Sequence, residues 1–100
     1  MEKQVFDPLL IFQQVLNSEI KWLIVIILQN EAALTFLELL VIIGINKERL
    51  QTMLWEMEKE RIIKREIRGR TYYFELTSLG QSAWEIGNRI EKWWHHQHTY

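Results

Sequence analysis

Eight basic side chains crowd one stretch of this 100-residue chain: Lys47, Arg49, Lys59, Arg61, Lys64, Arg65, Arg68 and Arg70 all lie between Asn46 and Phe74. Five acidic residues (Glu48, Glu56, Glu58, Glu60, Glu66) share it, leaving a local excess of +3, while the formal charge of the whole chain is −1. A basic segment on an acidic body is the electrostatic footprint of a nucleic-acid-facing edge. A solvated, charge-laced helix surface has the same composition, so spacing has to separate the two. Other chemistry has little material. Cysteine is absent and Asp7 is the sole aspartate. There is no glycine-rich phosphate loop, and Ser18, Ser78 and Ser82 fit helix caps and helix surface better than nucleophiles. His95 and His98 have the i, i+3 spacing of a metal pair, but with His96 they read more simply as a cationic helix end running into a tail. The expectation is a protein that is not an enzyme, with no cofactor and no metal.

The elements that must position the basic segment follow from composition and periodicity. The chain is 48% hydrophobic, 25% charged and 12% aromatic, with one Pro and four Gly. That is globular, enough for one core, and too poor in turn residues for an all-β fold. Asp7-Pro8 opens a short helix to about Leu16, and Ser18 caps a second that runs to about Gln29. The second is apolar nearly all round (Ile20, Leu23, Ile24, Ile26, Ile27, Leu28), which predicts burial on most sides. Thr35-Phe36-Leu37-Glu38 is a capping box, and Gly44 stops the third helix after Ile43. Asn46 caps a fourth, residues 47–60, whose Leu50, Met53, Leu54 and Met57 form one i, i+3, i+4, i+7 stripe. The period then changes to two. Residues 62–67 and 71–76 read as a hairpin around Arg68-Gly69, with Ile63, Ile67, Tyr72, Phe74 and Leu76 on faces that cover the helices. Thr77 caps a last helix from Ser78 to about Gln97.

The fold class is therefore mainly α with a small β-hairpin, helices at both termini, and a helix-turn-helix ahead of the hairpin. On Phe36-Leu37-Glu38-Leu39, Ile43-Gly44-Ile45-Asn46, Leu50, Leu54 and Met57, Glu58-Lys59-Glu60-Arg61-Ile62-Ile63 and Gly69 to Gly80, the chain resembles the winged helix-turn-helix transcriptional regulators of the MarR and ArsR type. The end of the hairpin (Gly-Arg, Tyr-Tyr, then Leu-Thr-x-x-Gly) is the most specific piece. The resemblance implies one winged-helix domain over 1–100, with residues 18–80 as helix-turn-helix plus wing and with 7–17 and 78–98 as terminal helices. It implies a small residue where Arg61 stands, so this chain departs there.

The helix over 47–60 is the expected recognition helix. With its apolar stripe facing inward, Lys47, Gln51, Thr52 and Trp55 face outward, where Lys and Gln address base edges and Thr a thymine methyl. The wing, 62–76, supplies Lys64, Arg65, Arg68 and Arg70 for phosphate contact. The same residue types also guard edge strands against aggregation. The last helix carries Leu79, Ala83, Ile86, Ile90, Trp93 and Trp94 in one stripe, with Trp84 well off it, so two apolar surfaces need cover. With Leu9 and Phe12 of the first helix, the resemblance makes Trp84, Ile90, Trp93 and Trp94 candidates for a two-fold dimer interface.

These readings together predict sequence-specific double-stranded DNA binding by a homodimeric transcriptional regulator. The alternative is a winged-helix protein-interaction module using Trp55, Trp84, Trp93 and Trp94. No membrane partner is expected, since the longest apolar run, Trp22 to Leu28, is about a third of the roughly 20 residues that a span needs. The mixed-charge start and the lack of cysteine suit a cytoplasmic protein.

Overall fold

A computed structural model of the chain describes residues 18–98, with side chains described as far as Trp93. The order is α1 (Glu19–Glu31), α2 (Phe36–Ile43), α3 (Lys47–Lys59), β1 (Ile63–Arg68), β2 (Thr71–Leu76) and α4 (Ser78–His98). The helix over 7–16 lies outside the described residues. No described helix is long and apolar enough to cross a membrane.

Each helix begins where a cap stands. The Ser18 hydroxyl accepts from the Lys21 amide at 3.2 Å, and Asn46 Oδ1 accepts from the Arg49 amide at 3.1 Å. Thr35 and Glu38 bond reciprocally to each other's backbone N–H, the capping box that the sequence spells. Gly44 ends α2 and leaves a short turn into α3.

β1 and β2 pair antiparallel, from Ile63 opposite Leu76 at the root to Arg68 opposite Thr71 at the tip. Leu34 adds a further rung: its N–H reaches Phe74 O at 3.1 Å and its C=O accepts from Phe74 N at 2.7 Å. The sequence reading assigned no pairing there. The core gathers Ile24, Val25 and Leu28 of α1, Leu39 of α2, Leu50, Leu54 and Met57 of α3, and Ile62, Ile63, Phe74 and Leu76 around the hairpin root.

Three expectations need correction. α1 is not buried on most sides: its buried stripe is Lys21, Ile24, Val25 and Leu28, while Leu23 is exposed. The hairpin covers the helices only at its root. Ile67 (66% exposed) and its cross-strand partner Tyr72 (51%) stand beyond the body because the strands outrun it. On α4 the body-facing stripe is the small one. Gly80, Ala83 and Gly87 are buried and Trp84 packs against the core, whereas Ile90 and Trp93 are exposed. Small residues let the α4 backbone come close to the hairpin. A Cβ at Gly80 would sit 2.2 Å from the Ile62 carbonyl oxygen, so only glycine fits.

Thr77 completes that root. Its amide donates to Ile62 O at 3.0 Å, and its hydroxyl reaches Arg61 O at 2.5 Å and Ile62 O at 3.0 Å while accepting from Gly80 N at 3.0 Å. One residue thereby caps α4 and ties it to the turn after α3. Leu76 is core, Thr77 is the tie and Gly80 is the contact point, which gives the Leu-Thr-x-x-Gly pattern its physical reason.

Candidate nucleic-acid interface

The outward face of α3 is set by what the opposite face buries. With Leu50, Leu54 and Met57 in the core, Lys47, Gln51, Thr52 and Trp55 are all exposed along one side of the helix. Thr52 spends its hydroxyl proton on Glu48 O at 3.0 Å, so what it offers outward is a methyl and an acceptor. Trp55 is 58% exposed, and Lys59 Nζ stands 4.3 Å from its ring centroid. The cation–π contact places a positive charge over the indole, most of which remains exposed. Arg49, at the first turn of the helix, is exposed as well.

α3 is anchored by a residue that sequence reasoning missed. Lys21 of α1 is buried, and its ammonium lies 3.1 Å from Glu56 Oε1 and 3.2 Å from Glu60 Oε2. Burial works against the charge, but hydrogen bonds and charge attraction from Glu56 and Glu60 outweigh it, and the pKa stands above the ordinary 10.5. Glu56 and Glu60 thus hold a buried cation while keeping part of their own side chains in water. The available signal was a lone basic residue inside an otherwise apolar helix.

The four basic residues of the wing divide in two. Arg65 Nε donates to Glu58 Oε2 at 2.7 Å, linking β1 to α3, and its guanidinium lies over the Tyr72 ring at 5.2 Å. Arg68 Nη2 donates to Glu75 Oε2 at 2.7 Å and lies over Tyr73 at 5.0 Å. Arg68 is therefore folded back along the strand and away from the tip. Lys64 and Arg70 are exposed and make no ion pair among the described residues. Between α3 and the wing runs a groove of about 470 Å³, walled by Phe36, Trp55 and Tyr72 with Arg65 and Arg70 among its lining residues.

Of the candidate interface residues, Trp84 packs against the core, contrary to its assignment to a separate surface. Ile90 and Trp93 stay exposed on α4. Leu9, Phe12 and the side chains of Trp94, His95, His96 and His98 lie outside what the structure describes. Among the described residues no group of His, Asp or Glu could hold a metal ion.

Solved structures share this fold. A mutant of MarR from E. coli complexed with operator DNA superposes with a TM-score of 0.74 at 17% identity, over 87% of this chain and 67% of that one. The chain adopts the winged helix-turn-helix fold. The reduced form of the transcriptional regulator YodB from B. subtilis gives 0.75 at 21% identity over 86% of each chain. A mutant of TubR, described as a type III plasmid segregation protein, gives 0.80 at 15% identity over 91% of this chain and 99% of that one. Against the oxidised form of E. coli MarR the chain spans 56% of the other protein's length. No family model matches the sequence, and no curated protein does. The winged-helix fold fixes α3 as the second helix of the helix-turn-helix and β1–β2 as its wing.

Proposed function

We propose that this winged-helix chain is a transcriptional regulator that binds double-stranded DNA as a homodimer. The observation that carries the reading is the outward face of α3. It presents Lys47, Gln51 and Thr52 to solvent, as the wing does Arg70, which makes no ion pair among the described residues, on a fold shared with a regulator whose structure includes operator DNA. In this reading α3 enters the major groove, where Gln51 addresses an adenine edge and Thr52 a thymine methyl. Lys64 and Arg70 rest on phosphates and fix the register without reading sequence. Ile90 and Trp93 lie on the side of α4 turned away from the body and supply the apolar surface for the two-fold contact.

A second reading has its own support: α2 leaves Leu37, Val41 and Ile42 exposed, an apolar face suited to a protein partner. Selection of bound sequences from random duplex DNA, followed by affinity measurement across salt, tests the first reading against the second. A homodimer should select an inverted repeat with half-sites about one helical turn apart. If Lys47, Lys64 and Arg70 of each protomer neutralise phosphates, log K against log salt should slope by roughly −5. A slope near zero, or no binding at low salt, would leave the protein-partner reading in possession.

A further inference from the structure

Both faces of the wing carry the same device. On one face an arginine of β1, Arg65, lies over Tyr72 and ends on Glu58; on the other, Arg68 lies over Tyr73 and ends on Glu75. Antiparallel register puts Arg65 on the Tyr72 face and Arg68 on the Tyr73 face, so adjacent tyrosines serve opposite sides of one strand. In each pair the carboxylate is the better-buried member, with about a fifth of its side chain exposed against about half of the arginine's. The carboxylates are thus the fixed partners, and the guanidinium groups are drawn onto them. Arg70, just past the turn, has no such partner among the described residues.

A guanidinium meets a carboxylate and a phosphate with the same hydrogen-bonding fork. We propose that Glu58 and Glu75 occupy the wing arginines in place of phosphate, and so restrain the sequence-independent part of DNA affinity. The inference rests on the DNA-binding reading above and goes beyond it in assigning two acidic residues a role in setting binding strength. An arginine already neutralised inside the protein releases no counterion on meeting DNA until its pair opens. Exposed pairs of this kind resist separation by a factor of up to about five. The restraint is graded: phosphate can displace the carboxylate, but each displacement lowers affinity by that factor. Because phosphate contacts carry no sequence information, the restraint acts on all duplexes alike.

The test uses the full chain and a random-sequence duplex titrated between 50 and 200 mM salt, with Glu58→Gln and Glu75→Gln made separately. Each should tighten binding about 3- to 20-fold in a dimer, which has two wings, and steepen the salt slope by about two units. Arg68→Ala should cost less than about twofold in the native background, because Arg68 is already occupied, yet should abolish the gain when added to Glu75→Gln. Glu66→Gln is the control. It removes the same charge from the exposed β1 strand, where Glu66 makes no ion pair among the described residues, and its effect should be small and insensitive to Arg68→Ala. Unchanged affinity and slope in both glutamate variants would overturn the proposal. So would a Glu75→Gln gain that survives Arg68→Ala, or a gain that Glu66→Gln reproduces. If neither the native chain nor any variant binds duplex at 50 mM salt, the DNA-binding reading itself fails and the restraint falls with it. A native chain that binds with indifferent variants sinks the restraint alone.

Discussion

At its root the wing is held by backbone. The Thr77 amide and hydroxyl converge on Ile62 O, Gly80 lies against the same carbonyl, and Ile63, Phe74 and Leu76 are buried. A few residues further out, Ile67 and Tyr72 face water, and beyond the backbone ladder the strands carry two arginine–glutamate pairs, one on each face. Groups at the root are tied backbone to backbone beside buried side chains, so loosening one contact disturbs the others. The tip's ion pairs are exposed and exchangeable, worth about 0–1 kcal/mol each. The motif that identifies the fold most specifically is thus the part that does no chemistry, while the groups able to meet a ligand sit where the structure constrains them least. The sharpest way to break this comparison is Gly80→Ala. A methyl placed 2.2 Å from a backbone oxygen cannot be accommodated by a side-chain rotation, so α4 must lift off the hairpin. We expect a loss of about 3 kcal/mol or more in denaturant unfolding, at the upper end for overpacking. A loss below about 1 kcal/mol would show that the root gives as easily as the tip.

Lys21 extends the comparison to the end of α3 that feeds the root, because Glu60 caps that helix one residue before Arg61. Lys21→Met should cost about 1–2 kcal/mol at neutral pH. That is less than breaking a fully buried pair, since Glu56 and Glu60 keep some access to water. Because the folded pKa of Lys21 lies above 10.5, its charge contributes fully at every pH below that value, and the contribution is lost as pH rises through the folded pKa. The stability gap between native and variant chains should therefore stay constant from pH 6 to 9 and close in strongly alkaline solution. A gap that persists there would mean that Lys21 acts by filling space.

Much of this was legible in the sequence because it rests on local rules. Ser18, Thr35 with Glu38, Asn46 and Gly44 bound their helices through contacts three or four residues long. The change from a period of about 3.6 to 2 after Glu60 marks the wing. Because Leu50, Leu54 and Met57 fix the buried side of α3, its outward face followed from them. The misreadings share a different origin. Periodicity shows that α4 has an apolar stripe but not that the body wants the small one. The signal was there in Gly80, Ala83 and Gly87, three small residues at helical spacing. The occupation of Arg65 and Arg68 depends on strand register and on how closely α3 approaches the wing, neither of which a charge count contains. Eight bases and five acids give +3 whether or not they pair.

Arg61 gives the smallest expected effect and the finest test of the root. It sits at φ 64°, in the left-handed region, at the junction between α3 and β1, and its side chain is exposed. A non-glycine residue there costs about 1–2 kcal/mol. The junction keeps its shape because Thr77 donates to Arg61 O and Ile62 O, and because Ile62 N donates to Met57 O at 2.9 Å. Glycine would remove the steric cost and add about 0.5–1 kcal/mol of unfolded-state entropy. The second effect offsets about half of the first, leaving Arg61→Gly more stable by about 0.5–1 kcal/mol, a rise in melting temperature of about 3–5 °C for a domain of this size. Thermal unfolding followed by circular dichroism resolves a shift of that size. A fall instead of a rise would mean that the Arg61 side chain stabilises the root through contacts that outweigh its backbone strain, and the root would then share the tip's reliance on charged side chains.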